Sequence, residues 1–87
     1  MSKKVLVVIE LPHPKPRVQL EQELAVLLRR LIAAGAKGVN YSDLSREGFR
    51  SIAHTVARLH SYGAIICAEN TQYMHLHYYY KGWHRDR

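Results

Sequence analysis

Between Phe49 and Gly63 the chain reads FRSIAHTVARLHSYG, a stretch that carries Arg50, Ser51, His54, Thr55, Arg58 and Ser61 but no carboxylate. At about 100° per residue on a helix, those six fall within roughly 140° of one another, while Ile52, Ala53, Val56 and Leu59 fall on the opposite side. One face is therefore apolar and the other consists of hydrogen-bond donors. Arginine grips phosphate or forks onto guanine, and Ser, Thr and His donate to phosphate oxygens or base edges. No acidic residue occurs from Phe49 to Ala68, so nothing local repels a phosphate backbone. Arg50, Ser51, His54, Thr55 and Arg58 are the expected groove-facing residues, with Arg46, Lys37 and the basic chain ends on phosphates.

Other reactive residue types point to less. His75 and His77 alternate on one strand face and His60 would have to complete a metal set, but no carboxylate or thiolate has supporting spacing, so no metal is expected. Cys67, between Ile66 and Ala68, reads as a small core hydrophobe rather than a nucleophile. Tyr79 and Trp83 could stack on unpaired bases, whereas Tyr78 and Tyr80 should face inward with Leu76. No phosphate-cradling glycine loop and no carboxylate pair set for acid–base work is found, so neither an enzyme nor a cofactor is expected.

The totals agree with a binding role. A chain of 87 residues supports one modest core. A net charge of +6 and a pI near 9.8 favour a polyanionic partner, nucleic acid before membrane. A lone cysteine excludes an internal disulfide and suggests a reducing, cytoplasmic setting. The run from Val5 to Leu11 contains Glu10 and stops at prolines, so it is read as a strand with both faces covered rather than as a signal or a membrane span.

The elements that must position the donor face follow from periodicity. Pro12, Pro14 and Pro16 mark an extended linker, and from Val18 the spacing of Leu20, Leu24, Leu27, Leu28 and Leu31 predicts a core helix stopped by Gly35. Gly38-Val39 is a one-bridge strand, and Asn40 caps a short helix over about Tyr41 to Arg46 that Gly48 interrupts. The donor-faced helix comes next and ends at Gly63. A hairpin then turns at Asn70-Thr71, which would direct Ile65 and Cys67 inward and Ile66 outward.

This order, with LLRRLIAAGAKGVNYSDL and HTVARLHSYGAII, resembles winged helix-turn-helix DNA-binding domains over residues 18–80. The resemblance implies an α+β fold of three helices and a β-hairpin wing, here with an extra N-terminal strand. It also implies a third helix laid in the major groove and a wing beside the adjacent backbone. Residues 1–17 would form the strand and proline-rich linker, and residues 81–87 a basic tail. The function expected is that of a sequence-specific duplex-DNA-binding regulator, bacterial or phage, acting as a homodimer joined through VLVVIEL. Two departures keep a second function in view: a winged-helix module that binds or inhibits another protein. The Leu44 to Ile52 connection is short for the family, and the tip Glu69-Asn70-Thr71-Gln72 has no base.

Overall fold

The computed structural model describes residues 4–12, 17–70 and 76–84. It is an α+β fold with three helices and two antiparallel sheets. Strands β1 (Leu6–Glu10) and β2 (Arg17–Glu21) form a two-stranded hairpin. Glu21 ends β2 and Gln22 begins α1 (Gln22–Ala34), with no loop between them. A short 3-10 turn (Gly35–Lys37) leads to β3 (Val39–Asn40), α2 (Tyr41–Arg46), α3 (Ile52–Tyr62), β4 (Ala64–Asn70) and β5 (Leu76–Trp83). The second sheet has the order β3-β5-β4.

Helix α1 organises the core. Leu24, Ala25, Leu27, Leu28 and Leu31 recur at helical spacing and are all buried, and the helix packs against both sheets and α3. Burying a leucine completely contributes about 1.5–3 kcal/mol, so the leucines of this face are a large apolar contribution to the core. Ile9, Leu11 and Leu20 enter the same core from the N-terminal hairpin, and Val39, Leu44, Ile52, Val56, Leu59, Ala64, Ile66 and Tyr78 enter it from the rest. Among the described residues no helix is long and apolar enough to cross a membrane.

Several expectations are revised. The first helix does not start at Val18, because residues Arg17–Glu21 pair with β1 in the register Ile9↔Val18 and Val7↔Leu20. Leu20 is buried all the same, since a strand side chain pointing at α1 reaches the core as well as a helical one would. The boundary after residue 17 therefore falls within a hairpin whose two strands share one core. VLVVIEL finds its strand partner in its own chain, but it is covered on one face alone: Val7 and Ile9 turn inward while Leu6 and Val8 are 53% and 55% exposed.

The hairpin of the second sheet has inverted faces on one strand. Residues 71–75, including the expected turn residue Thr71, lie outside the described residues. The register Asn70↔Leu76, Ala68↔Tyr78 and Ile66↔Tyr80 differs by an odd number of residues from one centred on Asn70-Thr71. An odd shift exchanges the faces of β4 relative to β5. Ala64 and Ile66 are consequently buried, Ile65 is exposed, and Cys67 is half-buried opposite Tyr79 on the outer face. Tyr78 and Tyr80 do share the inner side with Leu76, and burial raises the ionisation range of both phenols.

Gly38 fixes the close approach of β3 to β5. Its φ is 70°, and a Cβ there would stand 2.5 Å from the Tyr78 carbonyl oxygen and 2.6 Å from Tyr79 Cδ1. Gly35 has a similar φ of 65°, but nothing lies within 4 Å of its Cβ position. Gly35→Ala should cost only the backbone strain of a positive φ at ψ −150°, about 1–3 kcal/mol. Gly38→Ala adds overpacking against backbone and should cost about 1–3 kcal/mol more. Urea denaturation of the two variants measures the difference; equal midpoints would mean that β3 yields without strain.

Candidate nucleic-acid interface

Local chemistry sets the position of α3. The Asn40 side chain accepts a hydrogen bond from the Asp43 N–H at 2.9 Å, so the N-terminus of α2 is capped as its sequence implied. At the other end Phe49 N–H donates to the Leu44 carbonyl and Gly48 N–H to the Ser45 carbonyl, each at 3.1 Å, with Gly48 at φ 102°. This pair of bonds around a left-handed glycine is the Schellman arrangement, which brings Phe49 back over Leu44. Arg30 of α1 clamps the turn by a two-point contact with Glu47, Nε to Oε1 and Nη2 to Oε2, both 2.8 Å. The guanidinium holds the Glu47 carboxyl below its ordinary ionisation range.

Ser51 completes the turn with φ 50° and ψ 45°, the only non-glycine residue with positive φ among those described. Its carbonyl accepts from both Thr55 N–H, at 2.9 Å, and Thr55 Oγ1, at 3.0 Å. From there α3 runs with Ile52, Val56 and Leu59 buried and stops at Gly63, φ 119°, where the Trp83 indole covers the glycine.

The expected donor face is only partly realised. Arg50, Ser51 and His54 are exposed, and no hydrogen bond or ion pair engages their side chains among the described residues. Lys37 is exposed on the 3-10 turn, and Arg46 is exposed beside Asp43 at 3.5 Å. Thr55 is a correction: it is 8% exposed and its hydroxyl is turned to Ser51, because its helical angle lies at the border of the apolar face. Arg58 is a second correction. It is half-buried, its Nη2 lies 2.8 Å from Glu21 Oε2 and its Nη1 lies 3.7 Å from Glu23 Oε2. Ser61 also turns inward on its own helix, donating to the Arg58 carbonyl at 2.7 Å.

Glu21 is the charged neighbour of Arg58 that local sequence reading does not find. It stands 37 positions from Arg58, in a strand whose last residue is also the first flank of α1, and no periodicity links the two. Its side chain is 14% exposed and also accepts from Lys4 Nζ at 3.3 Å. The Arg58 hydrogen bond, opposed by partial burial and aided by Lys4, lowers the Glu21 ionisation range. Between α1, the start of β1 and the α2–α3 turn lies an open cleft of about 890 Å³, lined by Glu21, Glu23 and Glu47 together with Lys4, Arg50, Arg58, Val26 and Phe49. Charges of both signs thus meet where the sequence showed one.

Two of the three histidines considered for a metal are engaged elsewhere. His60 Nε2 lies 2.9 Å from the Ile66 carbonyl and His77 Nε2 lies 2.9 Å from the Lys37 carbonyl, while His75 is outside the described residues. Among the described residues no cluster of three or more His, Cys, Asp or Glu is arranged to hold a metal. Compared with protein-family models, with curated proteins and with solved structures, the chain finds no match in any of the three.

Because the Glu21 carboxyl titrates below its ordinary value of 4.5, its pairing stabilises the fold above that value. That contribution is lost as pH falls from 4.5 through the lowered native value, since the unfolded chain binds the proton first. Glu21→Gln should therefore lower the thermal midpoint at neutral pH and flatten its fall below pH 4.5. Melting curves across that range test this, and parallel curves for both proteins would assign the acid sensitivity to other groups.

Proposed function

We propose that this protein binds duplex DNA through the N-terminal end of α3, with Arg50, Ser51 and His54 as the groove-facing residues and Arg46 and Lys37 as phosphate contacts. The observation that carries the reading is a concentration of unengaged donors at Arg50, Ser51 and His54 on a chain of net charge +6. Every described carboxylate except Glu69 lies in an ion pair, whereas Arg29, Lys37, Arg50 and Lys81 belong to none among the described residues. The unbalanced charge is thus cationic and exposed. The element order α1-β3-α2-α3-β4-β5 with strand order β3-β5-β4 supports the winged helix-turn-helix reading. A domain of this size covers little DNA, so the reading includes a homodimer on a two-fold site and regulation by occupancy.

A second reading, a protein-binding module of the same fold, is favoured by one observation. The cleft that adjoins Arg50 is lined by three carboxylates, which suit a polypeptide better than a phosphate backbone. A gel shift on random-sequence duplex at low and moderate salt separates the two. The DNA reading expects affinity that falls steeply with salt as counterions are released, and no binding at low salt would leave the protein partner in front.

Two variants refine the test. Arg50→Ala should weaken binding by about 1–3 kcal/mol if it reads a base, with the thermal midpoint unchanged because the side chain is exposed. Wild-type affinity in that variant would remove α3 from the interface. Ser51→Gly separates fold from binding differently: glycine relieves the left-handed strain and should hold or raise stability by up to about 1 kcal/mol. Loss of the hydroxyl should at the same time weaken DNA binding; a destabilised variant would show that Ser51 is held by more than backbone geometry.

A further inference from the structure

The free edge of β1 carries a complete pattern for self-pairing. Continued by one position, the β1–β2 register sets Val5 opposite Gln22, and Gln22 N–H donates to the Val5 carbonyl at 2.8 Å. In an antiparallel ladder, partners that bond directly alternate with partners that do not. Val5, Val7 and Ile9 therefore turn their N–H and C=O groups to β2. Leu6, Val8 and Glu10 turn theirs to the opposite edge, where no strand pairs among the described residues. Val5, Leu6 and Val8 of this strand are each more than half exposed. An apolar strand with an unpaired backbone row is a template for another strand.

We propose that a second copy of this chain pairs antiparallel on β1, about a two-fold axis through Val7, joining the two hairpins into one four-stranded sheet. The register follows from three constraints. Two outward-turned residues must meet for hydrogen bonds to form, which admits only axes that set even-numbered residues opposite even-numbered ones. An axis through Leu6 sets Lys4 against Val8, and one through Val8 sets Leu6 against Glu10; both place a charge against an apolar side chain. The axis through Val7 sets Leu6 against Val8 of the second copy, Val5 against its Ile9, and Lys4 against its Glu10. Apolar residues then meet apolar ones on both faces, and opposite charges close both ends.

The charges are accessible for this although each already has a partner in its own chain. Lys4 and Glu10 are 73% and 72% exposed at the side chain, and their contacts to Glu21 and Arg17, at 3.3 and 3.4 Å, leave room for a second partner. The contact is isologous, so the pairing closes at two copies across this edge. It deepens the homodimer part of the DNA reading but rests on the hairpin alone, and its test uses no DNA, so either can fail without the other.

Glu10→Lys sets Lys4 against a lysine twice in a homodimer, and Lys4→Glu sets a glutamate against Glu10 twice. By sedimentation equilibrium, wild-type protein should dimerise, and each variant alone should associate about tenfold more weakly. An equimolar mixture of the two variants should recover wild-type association as a one-to-one heterodimer, because each chain then meets opposite charge at both ends. Recovery would also show that both variants are folded. Val8→Pro removes an N–H that faces the free edge and not β2, so it should give a folded monomer by circular dichroism. A wild-type protein that stays monomeric to millimolar concentration, single variants that associate as wild type, or a mixture no tighter than its components would overturn the proposal.

Discussion

The rest of the molecule is arranged around the leucine face of α1. Two small sheets and a helix pair, none of which has enough apolar surface to stand alone, are each completed by the same buried row of Leu24, Leu27, Leu28 and Leu31. A two-stranded hairpin is at best marginal in water. Here β2 passes into α1 without a loop, so the hairpin folds back along the helix that continues it, and Ile9, Leu11 and Leu20 reach the core from one side. Tyr78, Ile66 and Val39 reach it from the other. The position of α3, and with it the exposure of Arg50 and His54, is set by how these pieces close on one helix.

Electrostatics reinforces that closure at two joints. Glu21 ties the hairpin to α3 through Arg58, and Glu47 ties the α2–α3 turn to α1 through Arg30. Both carboxylates are hydrogen-bonded by guanidinium groups, which outweighs the opposing effect of partial burial, and so both titrate below the ordinary range. Their effect on surface charge is selective. Arg58 and Arg30, central in the helices, are neutralised at home, while Arg50 at the mouth of the turn is left uncompensated among the described residues. The positive surplus is thereby narrowed from a helix face to its leading end.

Much of this was legible because it is written in local chemistry. Asn40 as a cap, Tyr41–Arg46 as a helix, Gly48 as its stop and Gly63 as the end of α3 all depend on contacts within a few residues. Other features were not legible for equally physical reasons. Residues Val18–Glu21 satisfy both a helical and an alternating pattern, and only the cross-strand partner β1 decides between them. The faces of β4 depend on the parity of its register with β5, which the two strands do not encode. Thr55 lies at the margin of the apolar arc, where a few degrees decide between water and core. The Glu21–Arg58 joint links residues 37 positions apart that become neighbours only in the folded chain.

The hydrogen bond between His60 and the Ile66 carbonyl bears on how the molecule behaves in a crowd. In the sheet β3-β5-β4, one rim is a strand of two residues and the other is β4, where an imidazole from α3 already occupies a main-chain oxygen. An incoming chain would find a short ledge on one side and, on the other, a strand with one main-chain oxygen already taken. Concentrating the protein then multiplies encounters without offering this sheet as a seed for fibrous growth, and whatever cohesion it has for its own kind must come from another part of the surface.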